Sequence, residues 1–130
     1  MRLSLGYPSR SAEKLLLQQN SRYALISTLK HVFNEQEILA MQQLVNQVHM
    51  ADTVLEYLLN LADETRKKQH GLSTRGLLAL KKAAQAFAFI QQRSFVTPDD
   101  VQAVFVAVVA HRIGLSEAEA VQLMQQVHIS

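Results

Sequence analysis

Along most of this chain the apolar residues recur at three- and four-residue spacing, the period of a helix with one buried face. Ile38, Leu39, Leu44, Val45 and Val48 form one such stripe, and Val54, Leu55, Leu58, Leu59 and Ala62 a second. A third runs through Leu77, Leu80, Ala84, Phe87 and Ile90, a fourth through Val101, Val104, Phe105, Val108 and Val109, and a last through Val121, Met124 and Val127. Each stripe is preceded by a side chain that can accept from the free N–H groups of a first turn: Asn34 with Glu37, Asp52, Ser73, Thr97 with Asp100, and Ser116 with Glu119. Pro98 suits a first helical position, and Gly71 ends the second stripe. Ser9 or Ser11 can cap a further short helix through "AEKLLLQQ", whereas "NSRYALISTLKHVF" has no decided pattern. These elements predict an all-α fold, a bundle of about five helices joined by short loops.

Two stretches break the helical period. Met1, Leu3 and Leu5 alternate with Arg2 and Ser4 before Gly6 and Pro8, which predicts a short half-buried strand. A lone strand is not viable, so its partners are expected outside this sequence. Phe95 and Val96 form a second extended piece, expected to pair as a small ribbon with Val48 and Met50.

Composition narrows the class without changing it. A chain of 130 residues, 48% hydrophobic and 6% aromatic, with four glycines and two prolines, is the size of one domain and favours helix. Thirteen basic residues against eleven acidic leave a net charge of only +2, and no helix carries a basic stripe, so neither a nucleic-acid nor a membrane partner is expected. The absence of cysteine excludes a disulfide frame, a thiol nucleophile and a cysteine-based metal site. No apolar run is long enough to span a bilayer, and the opening residues lack a secretory apolar region, which makes the cytoplasm the expected compartment.

Little chemistry survives inspection. Asp99, Asp100, Glu117 and Glu119 all fall in first turns, where a carboxylate offsets the positive helix end. The histidines at 31, 49, 70, 111 and 128 include no pair at metal-binding helical spacing. "GLSTRG" lacks the lysine of a phosphate loop and follows a helix, not a strand. Arg66, Lys67 and Lys68, and Lys81 and Lys82, read as solvated surface. Arg75 is different, because it puts a cation in the first turn of a helix whose N–H groups already make that end positive. Physics leaves two readings open: a solvated surface side chain, or a guanidinium that receives a phosphate together with the helix start.

The segment "HGLSTRGLLALKKAAQAFAFIQQRSFVTPDDVQAVFVAVVAHRIGLS" resembles the carboxyl-terminal lid of MoxR-type AAA+ ATPases, in which a G-x-S-x-R segment starts a lid helix and a "VTPDDV" helix follows. "MRLSLGYPSRSAEKLLL" resembles the passage from that family's last core strand to the lid, so the likeness covers nearly the whole chain. It implies residues 1–8 as the last strand and hinge of the AAA+ core and 9–130 as the helical lid. Arg75 matches the family's sensor 2 arginine, which reaches the terminal phosphate of ATP, while Gly71 and Ser73 match the turn and cap that aim it. Tyr7 and Pro8 match the hinge near the adenine. Leu72, Thr74 and Gly76 stand where the family often has Ala, Pro and Ala, and Gly76 softens the helix start by about 0.5–1 kcal/mol relative to alanine.

The family's Walker A, Walker B, sensor 1 and arginine finger have no counterpart here, so the chain alone is expected neither to catalyse nor to bind a cofactor. The resemblance implies ATP and Mg2+ in the parent ATPase and a place beside the AAA+ core of the same chain. It also implies neighbouring subunits in a ring, expected to be hexameric, and a partner with a von Willebrand A domain. The activity implied is chaperone-like remodelling or maturation of client proteins. A reading from another class is a stand-alone helical interaction or DNA-binding module, since "FVTPDDV" also resembles the start of the final helix in histone-fold proteins.

Overall fold

The computed structural model describes residues 1–19, 23–68 and 71–129. Among them lie seven helical segments: α1 (Arg10–Gln18), α2 (Tyr23–Ile26), α3 (Glu35–Gln47), α4 (Asp52–Arg66), α5 (Thr74–Ile90), α6 (Pro98–Ile113) and α7 (Glu117–Gln125). The fold is all-α, with one segment, α2, beyond those the sequence pattern predicts. The undecided stretch supplies the single turn α2; its residues 20–22 lie outside the described residues, as does His70.

Most starts follow the predicted caps. Ser9 accepts from the Ala12 N–H at 3.3 Å. Asn34 with Glu37 and Ser116 with Glu119 form reciprocal capping boxes. Asp52 is a correction: it is the first helical residue of α4, whose cap position is Ala51, which makes no side-chain cap bond. Its carboxylate still faces the positive helix end, so it acts through charge and not through a cap hydrogen bond.

The core sits among α4 to α7. Tyr57, Leu61, Leu80, Ala84, Val101, Phe105, Val109 and Ala120 are buried there, and α5 against α6 forms its main interface. No residue of α1 or α3 is buried. The apolar stripe of α3 therefore exists as a pattern without a cover: only Val48, just beyond the helix, is inside, while Leu39 is 52% and Leu44 48% exposed. Leu59 and Ile90 are exposed as well, and the inner faces of α4 and α5 are completed by Tyr57 and Leu61 and by Gln85 and Ala88. Buried Gln85 donates to the Val48 carbonyl at 2.8 Å, which fixes the end of α3 to α5.

The predicted ribbon reduces to one parallel bridge between His49 and Phe95. The His49 N–H donates to Ser94 at 2.8 Å and the Val96 N–H to His49 at 2.9 Å, between the two segments expected to pair. The amino-terminal strand does not form. Residues 1–8 form no regular element, Gly6 standing at φ 66°, and have no ladder partner among the described residues; the Arg2 N–H instead donates to the Ala107 carbonyl of α6 at 2.7 Å. A strand needs a neighbouring strand to complete its backbone hydrogen bonds, and none adjoins this segment among the described residues.

An ion pair that the hydrophobic pattern does not reveal closes the turn between α5 and α6. Asp100 is 2% exposed and receives both ends of the Arg93 guanidinium, one bond being Nη1 to Oδ2 at 2.6 Å. The same Oδ2 accepts from the Thr97 N–H at 2.8 Å and the Thr97 hydroxyl at 3.0 Å. A buried carboxylate is tolerable when its lone pairs are used in this way. The turn itself reverses through Gln92, at φ 59°, with the Gln92 N–H bonded to Phe89 and the Arg93 N–H to Ala88. At the end of α6 the equivalent left-handed position, φ 70°, holds Gly114.

Two outcomes follow from this turn. Gln92→Gly removes the left-handed strain of a side chain and should raise stability by about 1 kcal/mol in chemical denaturation. Asp100→Ala leaves Arg93 without its partner and should lower stability by about 3 kcal/mol. The Arg93 hydrogen bond, helped by Thr97 and opposed by burial, holds the Asp100 carboxyl below its usual range. A carboxyl depressed in the folded state stabilises fully above the unfolded value of about 4 and loses that contribution as pH falls through the folded value. Acid titration of wild type should therefore show a loss of stability below about pH 4 that is smaller in Asp100→Ala.

Candidate functional site

The start of α5 is built from the end of α4. Thr65, fully buried, donates its hydroxyl to the Ala62 carbonyl at 2.6 Å and accepts the Leu72 N–H at 2.9 Å. The Arg66 Nε donates to the Leu72 carbonyl at 3.3 Å. Gly71 passes so close to α4 that a Cβ placed on it would stand 2.5 Å from the Arg66 Cα, leaving no space for a side chain. Ser73 then caps α5, accepting the Gly76 N–H at 3.1 Å.

Arg75 stands in that first turn, exposed, and makes no hydrogen bond or ion pair among the described residues. Its setting is unusual within the molecule. Every other helix longer than a single turn has an acidic residue in its first turn: Glu13, Glu35 and Glu37, Asp52, Asp99 and Asp100, and Glu117 and Glu119. Helix α5 has none. A guanidinium and the first N–H groups of a helix thus share one end with no anion between them, an arrangement that attracts a phosphate or carboxylate.

Gly71, Ser73 and Arg75 therefore come together in one braced turn. Tyr7 is 96% exposed and Pro8 is exposed too, in the segment that contacts α6 through Arg2, and no hydrogen bond or ion pair joins either to the start of α5 among the described residues. The hydrophobic pattern also missed Thr65 and Arg66, whose partners lie six and seven residues away across a loop. The capping pattern alone carries no trace of such a brace. A second surface feature is an apolar groove of about 740 Å3 between α3 and the α5–α6 turn, lined by Phe33, Met41, Leu44, Val48, Phe89 and Ile90 among others.

Leu72 and Gly76 fit one another. Leu72 is 2% exposed, and a Cβ at Gly76 would stand 2.5 Å from its Cδ1 and 3.1 Å from its Cγ. The glycine thus makes room for a leucine held in the core.

The AAA lid domain family matches residues 62–128. The YeaC protein of Bacillus subtilis is 35% identical over 117 residues, which are 88% of this chain and 37% of that protein. The protein MoxR of Paracoccus denitrificans is 47% identical over 57 residues, 44% of this chain and 17% of that protein. The chain thus spans little more than a third of these relatives at most. A crystal structure of a candidate ATPase from Cytophaga hutchinsonii superposes with a TM-score of 0.79 at 20% identity, covering 95% of this chain and 44% of that one, and so shares the fold.

Substituting Gly76→Ala should destabilise the chain by about 1 kcal/mol, although alanine is the better helix former by a similar amount. In a double-mutant cycle with Leu72→Ala the two changes should cost less together than their sum, by about 1 kcal/mol or more. Strict additivity would show that the two positions do not share the space.

Proposed function

Because this chain belongs to the AAA lid domain family and is a lid of the MoxR type, we propose that it closes over ATP bound by the AAA+ core of the same protein. In this reading residues 1–8 carry the end of the core and the hinge, Tyr7 and Pro8 border the adenine, and residues 9–130 form the lid. Arg75 is the sensor 2 residue that meets the terminal phosphate.

The observation that carries the reading is the acid-free start of α5, where an exposed Arg75 lacks an ionic partner among the described residues. The side chains there fit a phosphate, since a rigid fork of donors and free first-turn N–H groups match its oxygens in charge and geometry. Mg2+ would be held by the core; among the described residues no three His, Cys, Asp or Glu side chains converge on a point. ATP with Mg2+ supplies the group that is transferred to water; this chain binds and reports the phosphate end. Arg75 favours the closed position only while the phosphate is present, because only then is its charge neutralised. The bundle of α4 to α7 moves as one packed body and passes closure to a neighbouring subunit in a ring, read here as a hexamer.

The exposed apolar side chains of α3 and of residues 1–19 and 25–33 support a covering partner, and in this reading the AAA+ core and the neighbouring subunit provide it. The whole ATPase is then a cytoplasmic chaperone that remodels or matures client proteins, working with a protein that bears a von Willebrand A domain.

The test is ATP turnover and nucleotide affinity of the full-length protein containing this chain. Arg75→Ala should keep its circular dichroism spectrum and lose at least about tenfold in kcat, the worth of one charged hydrogen bond to a reacting phosphate. Unchanged turnover and affinity would leave Arg75 a solvated surface residue and favour a helical interaction module.

A further inference from the structure

We infer that Thr65 is a positioning residue for Arg75, acting through the peptide groups of Leu72; this inference rests on the reading of Arg75 as a phosphate sensor. Arg75 lies in the first turn of its helix, where a side chain is only as well aimed as the loop that leads into it. That loop is not left to its own turn chemistry.

The Thr65 hydroxyl gives its proton to the Ala62 carbonyl at 2.6 Å and accepts the Leu72 N–H at 2.9 Å. The carbonyl of the same Leu72 accepts from Arg66 Nε at 3.3 Å. Both polar groups of one residue, three positions before Arg75, are therefore bound to the last turn of α4. The Leu72 side chain is buried and fills the space left by the missing Cβ of Gly76, the residue after Arg75. Gly71 lies against the Arg66 backbone from the other side. The start of α5 is thus registered to α4 by two hydrogen bonds and two close packings, and Ser73 carries that register into the helix through its bond to Gly76.

The chemistry selects a hydroxyl. Position 65 must donate to a helix carbonyl and accept from an amide at once, which Ser and Thr do and Val, of the same shape, does not. Losing the hydroxyl strands a buried Leu72 N–H and frees the loop to seek another partner. Arg75 then samples several directions, and what suffers is recognition of the terminal phosphate, while contacts to the rest of the nucleotide stay.

Equilibrium titration of the full-length protein with ADP and with a non-hydrolysable ATP analogue separates these effects. Thr65→Val should reduce the preference for the analogue over ADP by about fivefold while ADP affinity stays within about twofold, and Thr65→Ser should restore the preference. In an Arg75→Ala background Thr65→Val should change the preference no further, because the route through Arg75 is already lost. If Arg75→Ala abolishes the preference and Thr65→Val leaves it intact, the positioning role is wrong and the phosphate-sensor reading survives. If Arg75→Ala itself leaves the preference intact, the sensor reading fails and this inference with it. Should Thr65→Val lose its native circular dichroism, Gly71→Ala disturbs the same turn where it meets the Arg66 backbone: a lowered preference supports the inference, and an unchanged one overturns it.

Discussion

The packing of α5 against α6 is the constraint on which the rest of this molecule depends, and the Arg93–Asp100 pair holds it closed. A short reversal must bring two long helices face to face, and its carboxylate is then unavoidably drawn out of water. Burial of Asp100 would be costly if it were alone. The guanidinium of Arg93 and the two donors of Thr97 take up its oxygens, so the charge that caps α6 also locks the end of α5. Once this hairpin is set, α4 and α7 have apolar surfaces to lie on, and α3 is tied in through Gln85.

The two ends of α5 are thus fixed by different means for different purposes. At the carboxyl end a satisfied ion pair gives strength. At the amino end the hydrogen bonds of Leu72 to the Thr65 hydroxyl and to the Arg66 Nε, and a size match between Leu72 and Gly76, give register without adding an acid to the first turn of α5. An acidic brace there would have been the simpler device, as the other helices demonstrate, but it would have neutralised the guanidinium. The choice of a hydroxyl in place of a carboxylate keeps the charge available.

How far the sequence discloses this depends on the range of each interaction. Caps act over three residues, and Ser9, Asn34, Ser73, Thr97 and Ser116 are all visible in it. Stripes show which face of a helix is apolar, but burial needs a cover: the α3 stripe and Leu59 are as periodic as Leu80 and still lie exposed. Asp52 satisfies the composition of a cap one position too late, since the boundary is set by backbone angles that residue type does not dictate. Arg75, Gly71 and Ser73 are legible because the motif is contiguous. Arg93 with Asp100 and Thr65 with Leu72 are not, because each joins two helices across a turn whose course is decided only by the folded core.

If Arg75 meets a terminal phosphate as proposed, its position also accounts for the bracing at both ends of α5. A phosphate can bias the lid only by the difference in its interaction with open and closed positions. That difference falls if the arginine can follow the phosphate by bending its own loop, because the loop then absorbs the movement that the bundle should make. A cation at a helix start costs about 0.3–1 kcal/mol, a small standing penalty that the proposed phosphate would reverse. In the proposed function, bracing the turn against α4 would convert that reversal into displacement of α4 to α7 together. The ion pair at the far end of α5 serves the same purpose, since a hairpin that could open would spend the motion internally. Strength at one end and register at the other are the two conditions that the proposed movement of a whole domain by a single guanidinium requires.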